Sequence, residues 1–265
     1  MRVLVTGADG FIGRHLCFFF KNKKIFYKAI NYKYSQYDRI VKNIYFSHIV
    51  HLAFDFKNKK KNFYLLKKII NVASRNKSAI IFPSTCAYIY KNFVKAEKSL
   101  FPINNYVKTK ILLEKELISK YYKNKIGDLT ILRIFNVYGK FQNPKYFIIP
   151  KLINLFTSNI KIVRIKFALN YRDFIHVDDV NNAIYKSLFI KKLNIIDLGT
   201  GNAITILDLA NKIKNILKSK KKIILDNPYL TKMNYYSKAQ YSFIKKLNWR
   251  AKVNIITGLK SLLNK

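Results

Sequence analysis

Acidic residues are scarce in this chain: 13 Asp and Glu stand against 51 Lys and Arg, a formal charge of +38 over 265 residues. Cysteine is nearly missing too. Cys17 and Cys86 cannot build a disulfide framework, and no metal-ligand spacing surrounds either. With 8 glycines and 5 prolines the chain is neither collagen-like nor a low-complexity linker. Long apolar runs are lacking as well: stretches such as 12–20 break well short of the ~18 residues that a membrane-spanning helix requires. Apolar sequence begins at Val3, without the charged segment, long apolar stretch and cleavage site of a signal peptide ahead of it. The expectation is a cytoplasmic protein with no membrane partner.

Lysine is what the chain has in excess. A basic charge of this size first suggests nucleic acid. The distribution argues against a specific one, because the lysines spread over the whole length and far outnumber the arginines. Proteins that read bases favour the arginine fork. Asn, Ile, Tyr and Phe are common, whereas Gly, Ala and Pro are rare. That is the bias of A/T-rich codons, so drift in an A/T-rich genome explains the charge better than selection for a polyanion. No specific nucleic-acid partner is expected. The lysine clusters 57–61 and 220–222 are read as solvated loops.

Half of the residues are hydrophobic and 15% are aromatic, enough for a sizeable core. Strands and helices alternate along the first half. The apolar pattern predicts strands over 2–6, 25–30, 48–52, 79–82 and 129–134, with helices over 11–20, 63–75 and 106–122. β-Branched runs without alternation suit strands covered on both faces. Beyond Gly139 the rhythm loosens, with helices expected over 147–156, 180–189, 205–217, 237–247 and 255–263 and a short strand over 195–198. The fold class is α/β, a Rossmann-type doubly wound parallel sheet with a smaller, closely packed C-terminal part. The expected division gives 1–138 and 176–199 to the dinucleotide-binding domain, and 139–175 and 200–265 to the substrate-binding one.

Three of the eight glycines sit in one motif, Val5-Thr6-Gly7-Ala8-Asp9-Gly10-Phe11-Ile12-Gly13. It ends a predicted strand and opens a predicted helix. Glycines there let the backbone turn tightly and approach a pyrophosphate, which rests on the helix N-terminal amides. An acidic residue about 20 positions on would hold the adenosine ribose. None stands between Asp9 and Asp38; Asn31 ends the second predicted strand with Lys33 nearby, so NAD and NADP both stay open.

Tyr106 and Lys110 are four residues apart and share a helix face. A tyrosine with pKa near ~10 is a weak base at neutral pH, and nearby positive charge favours its phenolate. The pair follows Ser84-Thr85, at a strand end, by about 20 residues. Together with the glycine turn stand His51-Leu52-Ala53, Ser84-Thr85-Cys86-Ala87, Arg133-Ile134-Phe135-Asn136-Val137-Tyr138-Gly139 and Arg172-Asp173-Phe174-Ile175-His176-Val177-Asp178-Asp179-Val180. Further along come the 194–209 region and Leu247-Asn248-Trp249. In this order the motifs resemble the extended short-chain dehydrogenase/reductase superfamily, the NAD-dependent sugar-nucleotide epimerases and dehydratases.

The resemblance implies residue roles. Tyr106 exchanges a proton with a sugar hydroxyl, Thr85 bonds the same oxygen, and Lys110 holds the nicotinamide ribose and lowers the Tyr106 pKa. Gly7, Gly10, Phe11, Ile12 and Gly13 join Asn31, Leu52, Ala53 and Asn62 on the cofactor side, and Asn136 and Arg172 touch the substrate. Outside that set, Arg133 and Asp173 are candidates for tying loops, His176 for a satisfied structural histidine, and Asp178 and Asp179 for a helix cap and first-turn charge. Trp249 and Cys86 read as packing.

Some positions depart from the family pattern. Tyr88-Ile89-Tyr90 replaces Val-Tyr-Gly, Asn105 stands where Pro is usual, and 227–234 contains no arginine for a diphosphate, only Lys232. The family's 4,6-dehydratases carry an Asp-Glu pair after the catalytic Thr, where this chain has Cys86 and Ala87. The expected activity is therefore a sugar-nucleotide epimerase at C4 with NAD, NADP not excluded. The alternatives are a 4-ketoreductase using external NAD(P)H and a silent dinucleotide- or RNA-binding protein of the same fold. A nucleotide-sugar substrate is expected, and a homodimer is compatible with the reading.

Overall fold

The computed structural model describes residues 1–31, 44–87, 105–226, 236–239 and 248–263. Its main sheet joins β1 (Val3–Thr6), β2 (Tyr27–Ile30), β3 (His48–His51), β4 (Ala79–Thr85), β5 (Leu129–Ile134) and β9 (Leu193–Leu198). All are parallel, in the order β2-β1-β3-β4-β5-β9. Alternate side chains of one strand enter opposite cores, which explains why these strands lack a polar face. Leu4, Ile49, Ile80 and Ile131 pack under α2 (Lys59–Asn76) and α3 (Asn105–Tyr122). Val3, Val5, Val50, Ile81 and Leu132 pack under α1 (Phe11–Asn22) and α5 (Val177–Ser187). The chain leaves β1 for β2 on one side and returns to β3 on the other. A crevice therefore opens at the carboxyl ends of β1 and β3, the place where such sheets bind ligands.

β4 runs three residues beyond the expected strand. In the sheet Pro83 stands opposite Leu132, and the ladder continues to Thr85 opposite Ile134. This extension carries Ser84 and Thr85 to the carboxyl edge. Helix α2 starts four residues ahead of expectation, because the Asn58 side chain caps it by accepting from Lys61 N at 2.9 Å.

The remaining described chain builds smaller sheets. β8 (Tyr171–His176) pairs with β6 (Asn136–Tyr138), β10 (Ala203–Thr205) and β12 (Tyr236–Ser237), and β7 (Ile162–Ile165) pairs with β11 (Lys222–Leu225). Helices α4 (Ile148–Thr157), α6 (Ile206–Ile216) and α7 (Ile255–Leu263) share a third core, with Leu152, Phe174, Leu209 and Leu259 at its centre. Two expectations need correction here. The helix expected over 237–247 does not begin at Ser237, which is a strand residue beside Arg172, and 240–247 lie outside the described residues. Lysines 220–222 are not a free loop: Lys221 Nζ donates to Leu155 O at 2.7 Å and to Ser158 O, closing the carboxyl end of α4, and Lys222 opens β11.

Candidate active site

The turn between β1 and α1 is set tightly against its surroundings. Gly7 has a positive φ of 68°, and a Cβ there would lie 2.6 Å from Ala53 N. A Cβ on Gly13 would lie 2.1 Å from Gly7 O, so helix and turn touch backbone to backbone. Gly7 N donates to Ile30 O at 3.0 Å, tying the turn to the end of β2. The first helical amide with a partner is Arg14 N, bonded to Gly10 O at 3.0 Å. Among the described residues the amides of Phe11, Ile12 and Gly13 have no partner at the positive end of α1, whose first turn contains no acidic residue. Such a cradle fits a dinucleotide pyrophosphate.

Thr6 joins the ends of β1 and β3. Its hydroxyl accepts from Ala53 N at 3.2 Å and shares a hydrogen bond with His51 Nδ1 at 2.8 Å. Burial, reinforced by Lys110, pushes His51 down to about 3, so this ring is a neutral strut. Leu52 is half-buried and Ala53 buried beside the turn, and Asn31 is exposed just past β2. Lys33 lies outside the described residues. Asn62 is buried with its amide fully committed: Oδ1 accepts from Asp55 N at 2.7 Å and Nδ2 donates to Asp55 O at 2.8 Å.

Thr85, Tyr106 and Lys110 come together where β4 ends and α3 begins. The Tyr106 hydroxyl is buried beside Thr85, close enough for the Thr85 hydroxyl to favour its phenolate. Burial pushes Tyr106 up to about 12; Thr85 opposes the rise and Cys86 adds to it. Lys110 is buried and donates to Pro83 O at 2.7 Å. Burial pulls it down to about 7 against the favourable charge of Glu114. The Tyr106 ring is flanked by Phe54, perpendicular at 5.1 Å, and by Phe56, stacked at 5.4 Å.

Glu114 is the residue that sequence reasoning missed. It sits one turn beyond Lys110, is 3% exposed, and accepts from Arg133 Nη2 at 2.9 Å. Burial pushes its carboxyl up to about 7, while Ser84 and Lys110 pull it back. Ser84 stands close enough to favour the carboxylate, yet neither Ser84 Oγ nor Glu114 Oε1 completes a hydrogen bond of normal geometry among the described residues. The i, i+4 spacing from Lys110 and the nearby Arg133 strand were the available signal.

Asn136 and Arg172 occupy the adjoining small sheet. Asn136 Nδ2 donates to Asp173 O at 3.1 Å, and Arg172 Nε is buried without a hydrogen-bond partner among the described residues. Asp173 ties loops: its carboxylate accepts from Thr200 N and Oγ1, Gly201 N and Ala239 N. The cap of α5 is His176, whose Nδ1 accepts from Asp178 N at 3.3 Å, not either of the expected aspartates. Asp179 instead holds Lys252 N and Val253 N, each at 2.9 Å. Trp249 and Cys86 are packed in apolar clusters. Tyr88-Ile89-Tyr90, Leu247 and the 227–234 stretch with Lys232 lie outside the described residues.

Residues 3–194 match the sequence profile of the NAD dependent epimerase/dehydratase family. The ADP-L-glycero-D-manno-heptose-6-epimerase of Brachyspira hyodysenteriae is 29% identical over 216 residues, covering 76% of this chain and 67% of that protein. The dTDP-D-glucose 4,6-dehydratase of Dictyostelium discoideum is 29% identical over 272 residues, covering 81% and 62% respectively. The chain thus spans about two thirds of the length of these relatives. The crystal structure of the Thermus thermophilus UDP-glucose 4-epimerase in complex with NAD shares the fold, with a TM-score of 0.82 at 19% identity over 99% of this chain and 98% of that one.

Proposed function

The chain belongs to the NAD-dependent epimerase/dehydratase family, enzymes that modify sugar nucleotides with NAD(P), and on that premise we propose that it inverts C4 of a sugar nucleotide through a transient 4-keto sugar. The observation that carries this reading is the meeting of Thr85, Tyr106 and Lys110 beside the crevice that opens at the glycine turn. Hydride removal from C4, and its return to the opposite face, is the chemistry that a bound nicotinamide dinucleotide supplies.

The chain's own residues do the rest. The amides of Phe11, Ile12 and Gly13 hold the pyrophosphate. Lys110 holds the nicotinamide ribose. Tyr106 takes the proton of the C4 hydroxyl onto its phenolate oxygen and gives it back after the 4-keto sugar has turned over. A phenol at about 12 is protonated at neutral pH, so Tyr106 becomes a base only when positive charge stands beside it. Thr85 bonds the sugar oxygen and orients it. Asn136 and the spare Nε of Arg172 face the diphosphate or nucleotide end.

Cys86 and Ala87 argue against 4,6-dehydration. Elimination across C5 and C6 needs an acid and a base after Thr85; Cys86 is buried against Phe135 and Ala239, and alanine has no proton to move. A second reading, 4-ketoreduction with external NAD(P)H, is favoured by one feature. Asn31 stands at the end of β2 where a carboxylate would anchor the adenosine ribose, so the grip on a resident cofactor is weaker.

Tyr106→Phe tests the assignment. The hydroxyl alone is lost, folding and NAD affinity stay near wild type, and kcat falls by roughly 10²–10⁴. Near-normal turnover by the variant on the sugar nucleotide contradicts it.

A further inference from the structure

Two aromatic rings enclose the buried ammonium of Lys110. Its Nζ lies 4.7 Å from the centroid of the Phe54 ring and 4.6 Å from that of Phe82. An ammonium has three donors. Among the described residues this one has a single hydrogen-bond acceptor, Pro83 O, and no carboxylate within ion-pair distance. The ring faces take the place of the water it has lost. The same Phe54 ring meets Tyr106 at 85°, the perpendicular arrangement that aromatic pairs prefer. Phe54 thus touches both members of the pair. Its loop is anchored by the neighbouring residue: Asn62 clamps both backbone groups of Asp55, and Asp55 Oδ1 accepts from Lys57 N and Asn58 N.

We propose that Phe54 is a positioning residue for Tyr106 and Lys110: together with Phe82 it favours the ammonium form of the buried Lys110, and its perpendicular contact fixes the Tyr106 ring. The roles of Tyr106 and Lys110 rest on the reading given above. The groups that act on Lys110 are Glu114 from its own helix, His51 from β3 and the Pro83 carbonyl from β4, with Tyr106 one turn earlier on the same helix face and Ser84 beside Glu114. Arg133 from β5 and Asp197 from β9 stand behind Glu114. Glu114 titrates in the same range as Lys110.

The ionisation of Lys110 is read by ¹⁵N NMR of lysine side chains, its resonance identified by its loss in Lys110→Met. Wild type, Phe54→Leu, Phe54→Met and Phe54→Tyr are titrated, each also in a Glu114→Gln background to remove the coupled carboxyl. Leucine and methionine fill the space without a ring, whereas tyrosine keeps the ring face. The expected result is a Lys110 midpoint lowered by about half to one pH unit in the two ring-free variants and unchanged in Phe54→Tyr. An equal midpoint in all folded variants overturns the proposal. The titration needs no substrate, so it stands or falls separately from the sugar-nucleotide reading, which Tyr106→Phe tests by turnover.

Discussion

Lys110 is the residue whose placement costs the fold most visibly. Its ordinary pKa near 10.5 falls to about 7 on burial. Between those values the unfolded chain binds the proton and the folded chain does not, so stability rises with pH across that window. Below about 7 both states bind the proton, and the full penalty of burying an ammonium applies. Lys110→Met removes that penalty. The variant is expected to be more stable than wild type at neutral pH, by about 1–3 kcal/mol in chemical denaturation, with the gain shrinking as pH approaches 10.5. It is also expected to lose activity, with what remains moved to higher pH, since the phenolate has lost a positive neighbour. A variant that is both less stable at neutral pH and fully active contradicts the role given to Lys110. Glu114 runs the opposite way: its carboxyl is raised from near 4.5 to about 7, so the folded chain holds the extra proton and stability falls as pH rises between those values.

At the scale of elements, the main sheet and its four flanking helices could be read from the sequence because apolar runs alternate there with helical periodicity in a regular order. The glycine turn was legible because three glycines at fixed spacing follow β1 directly. The short strands β6, β7, β8, β10, β11 and β12 were not. They run 2 to 6 residues, and their partners are far away in the chain, so no local pattern marks them. The capping by His176 and the Lys221 plug on α4 are likewise tertiary facts. In the site, Thr85, Tyr106 and Lys110 were singled out by their place among the motifs that resemble the family, whereas Phe54, Phe56 and Glu114 matter only through what they touch. Asp173 shows how far such ties hold the small sheets to the large one. It is fully buried and accepts four hydrogen bonds from the 200–201 and 239 segments. Asp173→Asn turns one acceptor oxygen into a donor facing donors, and is expected to cost about 2–4 kcal/mol of stability in denaturant titration. A loss below about 0.5 kcal/mol contradicts the tie.

For the molecule as a whole, the +38 charge and the active site are separate matters. Dispersed lysines bind polyanions through counterion release alone, so affinity for DNA or RNA is expected to fall steeply and without sequence preference as salt rises. Sequence-selective binding that survives physiological salt contradicts compositional drift as the origin of the charge. No helix among the described residues is long and apolar enough to cross a membrane. The fold brings the glycine turn after β1 and the Thr85, Tyr106 and Lys110 group to one edge of one sheet. An epimerase returns its hydride to the sugar it came from and gains by keeping its cofactor through the cycle, whereas a reductase must exchange it each turn. The most direct measurement is therefore to incubate the purified protein with UDP-sugars, add no cofactor, and follow C4 by NMR. The account predicts a C4 epimer under these conditions. Conversion that appears only on a 4-keto sugar, with stoichiometric consumption of added NAD(P)H, contradicts it.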